Sequence, residues 1–184
     1  DQFRLGSVFR DGNKFRMWYN VGYAESEDGL HWTKQSPTGL GQYCLPDPHE
    51  TDPDHKYKTA YGTETVMAAL AHSSNGFQWT PYNNGQPVTG RAADTINTIL
   101  WDDYAKVYRL YTRTDYGWGG DPANEIRGTR DMTNPDVKAN PTNWTTIREW
   151  RFNRESQENN RRQIYALNGW LYEGIQFGIL YCYE

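Results

Sequence analysis

A ten-residue pattern stands at two places in this chain and constrains its fold more than any other feature. Ala24-Glu25-Ser26-Glu27-Asp28-Gly29-Leu30-His31-Trp32-Thr33 returns as Ala71-His72-Ser73-Ser74-Asn75-Gly76-Phe77-Gln78-Trp79-Thr80, so that both copies read A-x-S-x-[DN]-G-[LF]-x-W-T. A motif repeated at an interval of several tens of residues belongs to architectures that stack one supersecondary unit. The unit here reads as a hairpin. A strand ends at Ser, Asp-Gly or Asn-Gly supplies the positive φ of a tight turn, and an apolar residue two before a Trp begins the return strand. Period-two alternation then sets Leu30 with Trp32, and Phe77 with Trp79, on one face.

A second repeat lies upstream. Lys14–Tyr19, Lys56–Tyr61 and Lys106–Tyr111 alternate basic or small residues with aromatics, and each follows a turn-rich stretch: Asp11-Gly12-Asn13, Asp52-Pro53-Asp54 and Asp102-Asp103-Tyr104. The third unit continues through Ile126–Asp131 to a degraded hairpin at Asn143-Trp144-Thr145. A fourth opens at Gln163–Leu167, is expected to turn at Asn168-Gly169, and runs on to Cys182. Four short strands per unit are the signature of β-propeller blades. The expected fold is therefore all-β, one propeller domain with approximate blades 1–38, 39–90, 91–151 and an incomplete 152–184. Pro, Gly and Asn interrupt every helical pattern, and a short helical turn is expected only between Asp131 and Asn143. A sandwich is the competing all-β reading, but it does not predict a doubled motif.

Composition narrows the function classes. The 184 residues suffice for one domain with a real core. Only 36% are hydrophobic, yet the chain holds 8 Trp and 14 Tyr, an aromatic richness that disordered segments lack. The longest apolar run, Val66 to Leu70, is far too short to span a bilayer as a helix. A net charge of -4 without a Lys/Arg-rich block gives no footprint for phosphate backbones, so neither nucleic acid nor membrane is an expected partner. Cys44 and Cys182 stand outside any C-x-x-C context, which leaves one long-range disulfide or two free thiols open. His31, His49, His55 and His72 lack ligand spacing, so no metal or cofactor is expected. The opening residues DQFRLG do not read as a signal peptide, and a secreted or periplasmic setting is favoured over others.

The two S-x-[DN]-G-x-x-W hairpins, together with "DTINTILWD", "KVYRLYTR" and "QIYALNGWLYEGIQFG", resemble the five-bladed β-propeller glycoside hydrolases. This is the invertase/arabinanase superfamily, and especially its glycosyl hydrolase family 32 N-terminal-like branch. The hairpin also looks like the Asp-box of sialidases, with one residue fewer between Asp and Gly. The resemblance implies five blades where the chain shows fewer than four, so a second copy or a further segment would be needed to close the ring and cover its unpaired edges.

It also implies a carbohydrate ligand and hydrolysis of a glycosidic bond by two carboxyl groups roughly 5 to 9.5 Å apart. On this likeness Asp94 is the base or transition-state stabiliser, with Arg91 and Asn97 on sugar hydroxyls. Glu173 of Tyr172-Glu173-Gly174 is the general acid, and Asp52, beside Asp47 and Glu50, completes the set. The same acidic stretch, Asp47 to Asp54, reads equally as a solvated loop or a calcium loop. Gln163 is a further candidate for substrate binding, and Tyr116 with Trp118 reads as an aromatic binding loop among glycines. Trp18, Trp150 and Tyr165 offer stacking faces, whereas Trp32, Trp79 and Trp144 read as core between blades. The alternative is a glycan- or protein-binding propeller fragment without catalysis.

Overall fold

A computed structural model describes residues 5–19, 22–35, 40, 43–90, 93–116, 126–152 and 163–183. Three meandering antiparallel sheets of four strands succeed one another along the chain. The first holds β1 (Leu5–Asp11), β2 (Lys14–Tyr19), β3 (Gly22–Ser26) and β4 (Thr33–Gln35). The second holds β5 (Cys44–Pro46), β6 (Tyr57–Gly62), β7 (Ala68–Ser73) and β8 (Thr80–Pro81). The third holds β9 (Thr98–Asp102), β10 (Val107–Tyr116), β11 (Ile126–Asn134) and β12 (Thr145–Trp150). A two-stranded sheet follows, β13 (Gln163–Tyr172) against β14 (Ile175–Tyr183). This is the all-β propeller architecture. The first strands of the four sheets converge, and residues 6–9, 43–46, 98–101 and 168–171 line a central channel of about 500 Å³.

The meander gives the molecule two faces. The chain enters β5, β9 and β13 on one, here the upper face, where the β6–β7 and β10–β11 connections also lie. The turns β1–β2, β5–β6, β9–β10 and β13–β14 lie on the lower face, together with the β3–β4, β7–β8 and β11–β12 hairpins.

The repeated motif closes those lower hairpins with one geometry. Ser26 Oγ accepts from the amides of Asp28 and Gly29 at 3.3 and 2.8 Å, and Asp28 Oδ1 accepts from Leu30 and His31 at 2.8 Å each. Ser73 and Asn75 repeat this, with Gly76 and Phe77 amides both at 2.8 Å. Gly29 and Gly76 sit at φ 78° and 79°, the left-handed region that disfavours a side chain. The return strand starts later than the spacing predicts: Leu30 is exposed and β4 begins at Thr33. The third hairpin keeps the device with other residues. Asn134 Oδ1 accepts from the Asp136 amide, Asp136 Oδ1 accepts from Lys138 and Ala139, and Trp144 Nε1 donates to Pro141 O as Trp32 Nε1 does to Gly29 O. Between Asp131 and Asn143 there are turns and one Asn140 N–H to Asp136 O bond, but no helix, because Pro135 and Pro141 bracket the segment.

Apolar side chains join neighbouring sheets. Trp18, Tyr23, Cys44 and Tyr57 pack sheet one on sheet two, and Trp18 Nε1 donates to Gly76 O at 2.9 Å. Trp18, expected as a stacking face, is thus fully buried core. Leu70, Ile99, Trp101, Tyr108, Leu110 and Val137 join sheets two and three, with Trp144 against them. Leu100, Tyr111 and Leu167 join sheet three to β13, with Trp150 packed against them. Cys44 is buried, Cys182 is exposed, and both are free thiols.

One turn is displaced from its sequence expectation. Asn168-Gly169 lies inside β13, opposite Ile179 and Gly178, and the chain reverses at Glu173-Gly174 instead, where φ is 51° and 74°. Gly169 is required for contact rather than for turning: a Cβ there would stand 2.5 Å from the Tyr111 ring.

Candidate functional site

On the upper face, the segment Ala93–Asn97 delivers the chain into β9. Asn97 is 2% exposed and anchors this segment: its Nδ2 donates to Ala93 O at 2.8 Å, and its Oδ1 accepts from Thr112 Oγ1 at 2.7 Å. Asn97 is therefore a positioning group whose amide is consumed by the scaffold. It does not present hydrogen bonds outward as the sequence reading expects. Asp94 is held above it, partly exposed, in an ion pair with Arg113 of β10, whose side chain is 1% exposed. Arg130 of β11 braces this pair by donating from Nε to Arg113 O at 3.2 Å. Gln163 at the head of β13 accepts from the Arg127 amide at 3.3 Å, so it too lies on this face.

The candidates do not all meet. Asp94, Asn97 and Gln163 share the upper face. Tyr116 ends β10 on the same side, opposite Ile126, and its side chain, like Arg91 and Trp118 altogether, lies outside the described residues. Glu173 and Asp52 are on the lower face. Glu173 is an exposed turn residue beside Trp101, Asp103 and Tyr104, at the far end of an innermost strand from Asp94. Asp52 caps the 3₁₀ turn Pro53–His55 by accepting from the Asp54 amide at 3.0 Å, and it pairs with Lys138. That ion pair and the Asp54 amide hold its carboxyl below the usual range.

The acidic stretch around Asp52 is divided: Asp47 and Glu50 are drawn into a closed network, whereas Asp52 is partly exposed and Asp54 faces solvent. Lys58, with a side chain shut off from solvent, pairs with Asp47 at 2.7 Å and Glu50 at 3.1 Å and donates to His55 O at 2.9 Å. The Tyr108 hydroxyl donates a hydrogen bond to Asp47 at 2.7 Å, and burial with that bond pushes the phenol well above its ordinary value. Burial opposes ionisation of Glu50, but the Asp52 amide and Lys58 overcome it and hold the carboxyl low. His55 stacks on His72 at 3.6 Å and contacts the Tyr82 hydroxyl at 2.7 Å. Burial foremost, then the neighbouring His72 and Lys138, depresses its pKa. Among the described residues no group of His, Cys, Asp and Glu has the arrangement of a metal site.

The sequence reading missed Arg113 and Arg130. A signal for Arg113 was present, since Arg109 and Arg113 are four apart in one strand and so share a face. Arg109 is neutralised below by Asp102 and Asp131, each at 2.7 Å, which leaves Arg113 as the cation on that face of β10 near the head of β9.

No family model and no curated protein matches the sequence. Among solved structures the chain resembles the fructofuranosidase of Schwanniomyces occidentalis complexed with fructose, with a TM-score of 0.61 and 14% identity. The match covers 97% of this chain and 40% of that one, so the chain spans two-fifths of the enzyme's length. At this identity the two share a propeller-like fold and no more.

Proposed function

We propose that the chain is a carbohydrate-active propeller whose sugar site lies on the upper face around Asp94, and that its reaction is hydrolysis of a glycosidic bond. The observation that carries this reading is the Asp94–Arg113 ion pair at the head of an innermost strand. The carboxylate of Asp94, partly exposed and fixed by the buried Arg113 guanidinium beside it, offers paired acceptors that suit the vicinal hydroxyls of a sugar. The braced segment beneath keeps this geometry fixed before a ligand arrives, which lowers the cost of binding. The likeness to a fructofuranosidase fold supports the same substrate class by analogy alone.

Oligosaccharides incubated with the protein and with Asp94→Asn test this. Release of reducing sugar by the parent, lowered at least a hundredfold in the variant, is the expected result. Full release by the variant overturns the assignment of Asp94. A second reading, a glycan-binding propeller without catalysis, is favoured by one observation: Glu173 and Asp52 are on the opposite face from Asp94. Saturable binding with no release from any substrate selects that reading.

A further inference from the structure

Glycoside hydrolysis needs a second carboxyl group facing the first, and Glu173 and Asp52 lie on the opposite face. We propose that Glu64, on the β6–β7 turn, is that group; this rests on the hydrolase reading above. The turn and the Asp94 segment are fastened together. The Ala93 amide donates to Val66 O at 2.6 Å, and Gly62 lies so close that a Cβ there would meet Ala93 O at 3.2 Å. Asp94 follows Ala93 by one residue, and Glu64 precedes Val66 by two.

The turn is built at a cost. Val66 is held at φ 60°, a left-handed conformation that a β-branched residue adopts only when its surroundings enforce it. Thr63 locks both ends, its amide donating to Met67 O at 2.8 Å and its hydroxyl accepting from the Met67 amide at 3.2 Å. On this rigid turn Glu64 is exposed, and among the described residues its carboxyl has no hydrogen-bond or ion-pair partner. Every acidic group of the Asp47 to Asp52 network has such a partner. Neither motif nor repeat marks Glu64, because it lies between the two signals that define the second blade.

In the proposed reaction Asp94, beside Arg113, is the acceptor and Glu64 the proton donor. Glu64 gives its proton to the glycosidic oxygen as the bond from the anomeric carbon to that oxygen breaks, with the electron pair leaving on the oxygen. Water attacks the anomeric carbon and passes its proton to Asp94, and solvent returns a proton from Asp94 to Glu64. One water is consumed and one glycosidic bond is cleaved.

The test compares the parent, Glu64→Gln and Asp94→Asn on an oligosaccharide and on a dinitrophenyl glycoside, whose leaving group needs no proton. Glu64→Gln is expected to lower kcat on the oligosaccharide about 10²- to 10⁴-fold and to retain most turnover of the dinitrophenyl substrate. An unchanged unfolding midpoint shows that the turn is intact. If Glu64→Gln keeps full oligosaccharide turnover while Asp94→Asn loses activity, Glu64 is overturned and the hydrolase reading stands. If the parent releases sugar from neither substrate, both are overturned.

Discussion

Glycine carries three separate duties in this chain, and substitutions tell them apart. At Gly76 a side chain meets two penalties: φ is 79°, and a Cβ would stand 2.6 Å from Trp18 Cζ2 in a fully buried ring system. At Gly29 φ is 78°, but the nearest atom, on Phe15, is 3.6 Å away. Gly29→Ala is expected to cost about 1 kcal/mol, the conformational penalty alone, and Gly76→Ala about 3 kcal/mol, both measured by denaturant unfolding. The two sites are indistinguishable in the sequence, because each is the Gly of the same motif. What differs is a tryptophan 58 residues away. Gly169 shows the third duty, and the same ambiguity misled the expectation for the fourth unit. Asn-Gly is a strong turn signal, but contact with Tyr111 claims this one. Moving the turn to Glu173-Gly174 is also what carries Glu173 to the lower face.

Among the elements, the hairpins were legible and the connections were not. The Ser-to-Trp hairpins follow from side chains bonding to amides two and three residues on, a local interaction that leaves a local pattern. The third copy was legible only as a degraded hairpin at Asn143-Trp144-Thr145, because Asn134 replaces Ser and four extra residues separate Asp136 from Trp144. The β5–β6 connection was misjudged in part, because Asp47 and Glu50 are neutralised by Lys58 from the next strand, and Asp47 is covered by Tyr108 from the next sheet. This connection also sets a pH dependence. His55 is held neutral by burial against His72, so its folded pKa lies below its unfolded value of about 6.5. The unfolded chain then binds more protons, and stability should fall as pH drops from 7.5 through 6.5 until the folded pKa is passed. Asp52 and Glu50 beside the ring, with Lys138 and Lys58, and the Tyr82 hydroxyl complete its surroundings. His55→Gln should flatten that slope in thermal unfolding scans between pH 7.5 and 5.5. A second loss, below about pH 4, belongs to carboxyls held low by their partners, such as Glu25 with Lys14 and Asp11 with Tyr57 and Arg16.

For the whole molecule, the periodic sequence was enough for the propeller, and the split between faces was invisible. The position of Asp94 at the head of a strand was legible from the apolar run that follows it; Glu173 and Asp52 are equally acidic and equally close to strands. Which end of a strand a residue occupies depends on the parity of the connections before it, and one misplaced turn inverts it. Among the described residues the fourth sheet has its outer strand at β14, which is uncharged and free of proline. Seven of the large exposed apolar side chains lie on this sheet, from Trp170 to Tyr181. Such an edge invites pairing between chains. Phe177→Lys with Ile179→Lys is expected to reduce light scattering at high protein concentration without lowering the unfolding midpoint.

The two free thiols lie in opposite environments. Burial pushes the Cys44 thiol well up and out of reach, whereas Cys182 is exposed on β14. A thiol-reactive dye added to the native chain should therefore attach at one position, and its rate of attachment becomes a reporter of access to that edge. Any strand that comes to lie along β14 would slow the reaction at Cys182 and leave the second equivalent, at Cys44, to appear only on unfolding.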